Sequence, residues 1–298
     1  MIKKIGYPCI CLSLQKDNIT VNRNMVKRTF LNKGVVYASE LALKNVQDLE
    51  KILHWNESMG IKMYRMSSDM FPWASEYKMT DLPDIEKILE VCGRIGKYAK
   101  DHDHRLSFHP GPFTVIASAN QAVVEKSIVD LEIHGTIMDM MGLSRTPYNK
   151  INVHVNTTSG GKLESMLRFC ESFKRLSDAV KTRLVVENDD KPKQYTVEDL
   201  VFIHRHIGIP VTFDYFHHSL NPGNQTEEEA LILASTTWPK GITQATHYSE
   251  SKRLHESNPK ENARAHSDYV TCLPNTYGLD IDVMLEAKSK DLALLKIR

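Results

Sequence analysis

Several things are missing or scarce in this 298-residue chain, and each absence narrows what it can be. No apolar run approaches the roughly 20 residues that a membrane-spanning helix needs. Cysteines are few and odd in number: Cys9, Cys11, Cys92, Cys170 and Cys272. That argues against a disulfide framework and for a reducing interior. Cys9 and Cys11 form a C-x-C pair, but no second pair exists to complete a thiolate metal site. An excess of one charge is also absent, with 38 Lys and Arg against 37 Asp and Glu and a net charge of +1. A nucleic-acid partner would therefore have to be met by a local positive field. The start, Met1-Ile-Lys-Lys-Ile-Gly6, has neither the long apolar stretch nor the small-residue cleavage site of a signal peptide. The expectation is a soluble intracellular protein with no membrane partner. No Gly-rich phosphate turn follows the first apolar run, which continues as Tyr7-Pro-Cys-Ile-Cys11, so a dinucleotide-binding doubly wound fold is disfavoured. No repeat of solenoid period is present.

What remains is a chain with 41% hydrophobic and 25% charged residues, enough to bury one sizeable core. Short β-branched runs alternate with longer segments of helical period. The runs predict strands at 3–7, 62–66, 105–109, 151–155, 183–187, 210–214, 241–247 and 281–286. Apolar positions at three- and four-residue spacing predict helices at 41–59, 85–100, 122–141, 162–180, 197–207 and 227–235. Eight strands, each followed by a helix or long loop, predict a (β/α)8 TIM barrel spanning residues 1–298 as a single domain.

The strand ends carry the chemistry. The third runs out at His109, the fourth at His154, the fifth at Glu187, the sixth at Asp214 with His217 just beyond, the seventh at His247 and the eighth at Glu286. Parallel barrel strands point their C-terminal ends at one rim, so these distant residues converge. Imidazoles and carboxylates gathered together are costly to bury unless cations neutralise them. The mixed set suits Zn²⁺, Mn²⁺ or Fe²⁺ better than Ca²⁺ or Mg²⁺, and its size predicts two or three ions. Such a cluster activates water and clamps phosphate in hydrolysis. The other histidines fall elsewhere: His54 and His134 in helices, His204 and His206 at a helix end, and His102 and His104 in an expected solvated loop before the third strand.

Taken in order, these motifs resemble the UV damage endonucleases, a branch of the endonuclease IV-like barrels. The pieces are Gly6-Tyr-Pro-Cys9, Tyr64-Arg-Met-Ser-Ser-Asp69 with Phe71-Pro72, Ser107-Phe-His-Pro-Gly111, Val153-His154 and Val186-Glu-Asn-Asp189. Phe213-Asp-Tyr-Phe-His-His218, Leu220-Asn-Pro-Gly223, His247-Tyr-Ser249, Ala265-His266 and Leu285-Glu-Ala-Lys288 complete them. The resemblance implies an endonuclease that cuts double-stranded DNA immediately 5′ to an ultraviolet photoproduct, a cyclobutane dimer or a 6-4 product, and leaves a 3′-hydroxyl and a 5′-phosphate. It implies Mn²⁺, with Zn²⁺ as the alternative, and the chain is expected to be a monomer. The implied metal ligands are His109, His154, Glu187, Asp214, His217, His247, His266 and Glu286, with Asp69 beside the cluster. Glu187, Asp214 and Glu286 would carry catalysis, Lys288 would screen the phosphate, and Tyr7, Pro112 and Phe113 would meet the DNA.

Three positions depart from the family pattern. Pro112 stands where a glutamine usually follows His-Pro-Gly, Ala245 replaces a lysine two residues before the seventh-strand histidine, and Cys11 replaces an asparagine. Proline cannot donate a hydrogen bond, so lesion specificity is where this chain is expected to differ. The competing readings are an abasic-site endonuclease, a metal-dependent sugar isomerase or epimerase of the same architecture, and a lesion-binding protein with weakened chemistry.

Overall fold

The computed structural model describes every residue from Met1 to Arg298. Its eight strands are β1 (Ile2–Pro8), β2 (Met63–Arg65), β3 (Arg105–Ser107), β4 (Ile151–Val153), β5 (Leu184–Glu187), β6 (Val211–Asp214), β7 (Gln244–Tyr248) and β8 (Ile281–Leu285). All pair in parallel, in the order β3-β2-β1-β8-β7-β6-β5-β4. Phe108 closes the ring just past β3: its N–H donates to Lys150 O and its carbonyl accepts from Asn152 N, each at 2.9 Å. Each expected strand is present, and the architecture is the (β/α)8 barrel.

The strands form where β-branched and aromatic residues can be covered on both faces. In β5 and β6, Leu184-Val-Val-Glu187 and Val211-Thr-Phe-Asp214 are buried throughout. Gly6 is required where β1 meets β2, because a Cβ there would lie 1.8 Å from the Met63 carbonyl oxygen. Outside the ring, the helix Ile85–Asp101 buries Ile88, Val91, Cys92, Ile95 and Ala99, the three- and four-residue stripe of an amphipathic helix. The helices Val197–Ile207 and Glu227–Ser235 open on reciprocal caps between Thr196 and Asp199 and between Thr226 and Glu229. Helical structure starts earlier than residue 41, at Lys27, and breaks at Gly34, whose φ of 63° no helix accommodates. The expected helix 162–180 is two pieces, Lys162–Phe173 and Asp178–Lys181, because Ser177 between them is extended.

The barrel floor is polar. Arg105, at the start of β3, is fully buried and donates to Asp282 of β8 at 2.7 Å and to the carbonyls of Tyr148, Thr243 and Pro147. Burial pushes Asp282 above its ordinary value despite Arg105. His104 corrects an expectation: it is buried, not in a solvated loop, and its Nε2 lies 2.8 Å from Glu57 Oε2. His134 and His204 belong to the barrel wall as expected, with Nδ1 against backbone carbonyls. All five cysteines are free, and no helix is long and apolar enough to cross a membrane.

Candidate functional site

The ends of β3 to β6 and of β8 open into one cavity of about 340 Å³, lined by His109, Pro112, His154, Glu187, His217, Glu286 and, from β2, Arg65. Glu187, the last residue of β5, is its hub and is fully buried. Its Oε1 lies 3.0 Å from His247 Nδ1 and 3.4 Å from His217 Nδ1. Its Oε2 lies 3.2 Å from His109 Nε2 and 3.6 Å from His154 Nε2, and accepts a hydrogen bond from Asn152. Burial would raise the Glu187 pKa, but His247, His154 and His109 outweigh it and hold the carboxyl well below its usual range.

Asp214 follows at the end of β6. One of its oxygens caps the short helix that begins at Tyr215, accepting from His217 N at 2.8 Å. The other, Oδ2, is buried with no hydrogen-bond partner. Burial, joined by repulsion from Glu187 and Glu286, raises Asp214 to about 7 against the pull of His217. Glu286, just past β8, lies 3.2 Å from His247 Nδ1 and is paired with Arg65. Burial opposes its ionisation, yet Arg65 and His247 keep it well below its ordinary value.

Three groups of potential ligands result: His109 with His154 and Glu187, Glu187 with Asp214 and His217, and Asp214 with His247 and Glu286. Within each, the donor atoms lie within 4.8 Å of one another. The groups share Glu187 and Asp214, so each of these carboxylates belongs to two of the three. Two of the imidazoles register the same demand for positive charge, whereas burial lowers His109 and His247. His154 is raised to about 10, burial being overcome by Glu187 and Asp189, and His217 is raised by Asp214 and Glu187 in the same way. An orphaned buried carboxylate oxygen among nitrogen and oxygen donors fits divalent cations.

Seven of the expected ligands are thus brought together, and two stand outside the three groups. His266 borders them: its Nδ1 lies 2.7 Å from Ser249 Oγ and its ring meets His217 edge-on at 6.5 Å. Asp69 is exposed and accepts from Asn24 Nδ2 at 3.0 Å. Lys288 is exposed, with its backbone N–H on Ser267 O. Of the residues expected to face DNA, Pro112 lines the cavity and Phe113 beside it is 90% exposed. Tyr7 does not join them. It is fully buried, its hydroxyl donates to Asn56 at 2.8 Å and its ring packs edge-on against Tyr64, so it serves the core.

Sequence reasoning passed over four residues of the site. Arg65 was legible only as part of a motif. Asp189 stands 3.2 Å from His154 Nδ1, off the angle of a hydrogen bond. Asn152 is the middle residue of β4 and Lys150 immediately precedes the strand, and a lysine at a strand's entrance carries no signal that it points inward. Lys150 Nζ lies 3.0 Å from Asn152 Oδ1, 3.2 Å from Thr212 Oγ1 and 2.9 Å from His247 Nε2. Ala245 packs in a small apolar cluster with Met63, Val185, Trp238 and Met284, so the lysine that reaches His247 comes from another strand.

The family model for the UV-endonuclease UvdE matches residues 3–298. The chain belongs to this family. It is 37% identical to the UV-damage endonuclease of Schizosaccharomyces pombe over 99% of its own length, and spans half of that relative. It is 29% identical to a putative UV-damage endonuclease of Acanthamoeba polyphaga mimivirus, covering 99% of this chain and 90% of that one. The solved structure of SacUVDE superposes with a TM-score of 0.85 at 31% identity, covering 98% of this chain and 96% of the other.

Proposed function

We propose that the chain is a metal-dependent DNA repair endonuclease that hydrolyses the phosphodiester immediately 5′ to an ultraviolet photoproduct, leaving a 3′-hydroxyl and a 5′-phosphate. The observation that carries this reading is Glu187, a buried carboxylate whose two oxygens each face two imidazoles in the mouth of the barrel. Kinship with the UV-endonucleases supports the substrate.

His109, His154, Glu187, Asp214, His217, His247 and Glu286 would hold two or three ions, Mn²⁺ or Zn²⁺. Such ions supply a nucleophile near neutral pH and withdraw charge from the phosphate. The protein does the rest. Asn152 fixes Glu187 from behind, Asn188 O accepts from His217 Nδ1 at 2.9 Å and turns that ring towards the cavity, and Ser249 holds His266 beside it.

Recognition falls to the exposed side of the same mouth. A photodimer stacks and pairs poorly and costs less to extrude than normal bases. Phe113, with nearly all its ring in solvent beside the cavity, offers a face on which a displaced base can stack. Pro112 next to it shapes the edge but contributes no N–H.

Irradiated supercoiled plasmid incubated with Mn²⁺ tests this directly. Nicking confined to the irradiated plasmid is expected, with ligatable ends at the cut. Equal nicking of unirradiated plasmid, or strong binding with no nicking at all, would refute it. An oligonucleotide carrying a thymine dimer should be cut in preference to one carrying an abasic site.

A further inference from the structure

We infer that Arg65 and Lys290 form a phosphate-gripping subsite at the edge of the ligand groups, distinct from the ligands themselves. The inference rests on the proposed DNA substrate and adds which residues hold its backbone. Arg65 stands at the end of β2 with a side chain only 14% exposed, and its guanidinium lines the cavity. Of the five N–H groups a guanidinium carries, one of the two on Nη1 donates to Glu286, and the Nε and Nη2 groups have no protein acceptor. A nearly buried cation with unused donors facing an open cavity is poised for an anion, and the planar fork suits two phosphate oxygens.

Lys290 supplies the independent observation. It is the first residue of the helix Lys290–Ile297, held at a φ of 49°, a conformation a non-glycine residue adopts only under constraint. It is half-buried, and its ammonium makes no salt bridge and no hydrogen bond to the protein. The charged side chains within its electrostatic reach are Arg65, Glu286 and Lys288. Arg65 and Lys290 thus lie within electrostatic reach of one another and of a single carboxylate, Glu286. Once Glu286 serves a cation, nothing in the protein balances the pair, and a phosphodiester does.

A purely structural alternative is that Arg65 only props Glu286 in place. Equilibrium binding of Mn²⁺-loaded protein to a lesion-bearing duplex made resistant to cleavage by a phosphorothioate 5′ to the lesion, measured across salt concentration, separates the two. Each phosphate contact adds about 0.9 to the slope of log affinity against log salt. Arg65→Gln and Lys290→Gln should each reduce that slope by about one, which amounts to roughly tenfold weaker binding at 0.1 M salt. Arg65→Lys should recover most of the slope, and metal content measured without DNA should stay at the wild-type level in Lys290→Gln. An unchanged slope in both glutamine variants, or lost metal with an unchanged slope in Arg65→Gln, would overturn the subsite while leaving the endonuclease reading intact. Wild-type protein that neither binds nor nicks irradiated DNA would overturn both.

Discussion

Lys150 Nζ lies 2.9 Å from His247 Nε2, and neither side chain has appreciable contact with solvent. Two basic groups in so close a contact cannot both carry a proton. Burial, reinforced by Arg105 and Arg65, pushes the Lys150 amine down to about 7, with Glu187 pulling the other way. Burial and Lys150 together push His247 down to about 4. The second ring nitrogen of His247 faces Glu187 and Glu286, so the lysine sets the hydrogen-bonding state of a ring at the centre of the site.

This contact predicts a pH dependence of stability in metal-free protein. The folded Lys150 loses its proton near 7, whereas an unfolded lysine keeps it to its ordinary value of 10.5, so its contribution to stability rises with pH across that window. His154 acts oppositely: folded, it keeps its proton to about 10, so its contribution is full below 6.5 and is lost as pH rises towards 10. Each slope is at most about 1.4 kcal/mol per pH unit, and in the wild type they largely cancel. Lys150→Met should leave only the falling limb. Urea unfolding at pH 7, 8 and 9 should show the variant losing stability relative to wild type at each step. Parallel curves would refute the burial of a neutral Lys150.

Glu187→Ala should reduce incision by at least about a hundredfold, because loss of even an outer partner of a metal ligand costs 10- to 100-fold and Glu187 faces four imidazoles directly. Metal content and plasmid nicking should fall together. Near-normal cutting would remove Glu187 from its assigned place.

Phe113→Ala should weaken binding to irradiated duplex by roughly tenfold or more, since stacking contributes about 1–3 kcal/mol per base, while metal content and thermal stability stay unchanged. Fluorescence anisotropy with irradiated and intact duplexes checks it. An equal loss for both duplexes would count against a lesion-reading role.

His104→Ala should destabilise the protein by about 1–3 kcal/mol, because it removes a buried partner of Glu57, yet leave the rate of incision per folded molecule as in the wild type. A complete loss of incision in folded variant would overturn the division between rim and floor.

Asp282→Ala should cost about 3–5 kcal/mol, since it strands the buried Arg105 guanidinium without its carboxylate. Urea denaturation measures it, and a loss under 1 kcal/mol would show that the surrounding carbonyls suffice.

The barrel and most of the side chains gathered at its mouth were legible in the residue order. Short β-branched runs and segments of 3.6-residue period announce strand and helix locally, and a parallel barrel sends each strand end to the same rim, so His109, His154, Glu187, Asp214, His247 and Glu286 can be placed together from their positions in the motif order alone. That Glu187 is the hub among them could not be read this way, because it depends on distances between side chains from five different elements. Nor could Lys150 pointing at His247, Arg65 pairing with Glu286, or Tyr7 turning into the wall: whether a strand residue faces the barrel interior or the helices is set by register and by closure of the ring. Burial of His104 against Glu57 has the same origin, a contact 47 residues apart in the chain. Local periodicity decides what each segment becomes, whereas partners, and therefore protonation and charge, exist only once the segments have closed on one another.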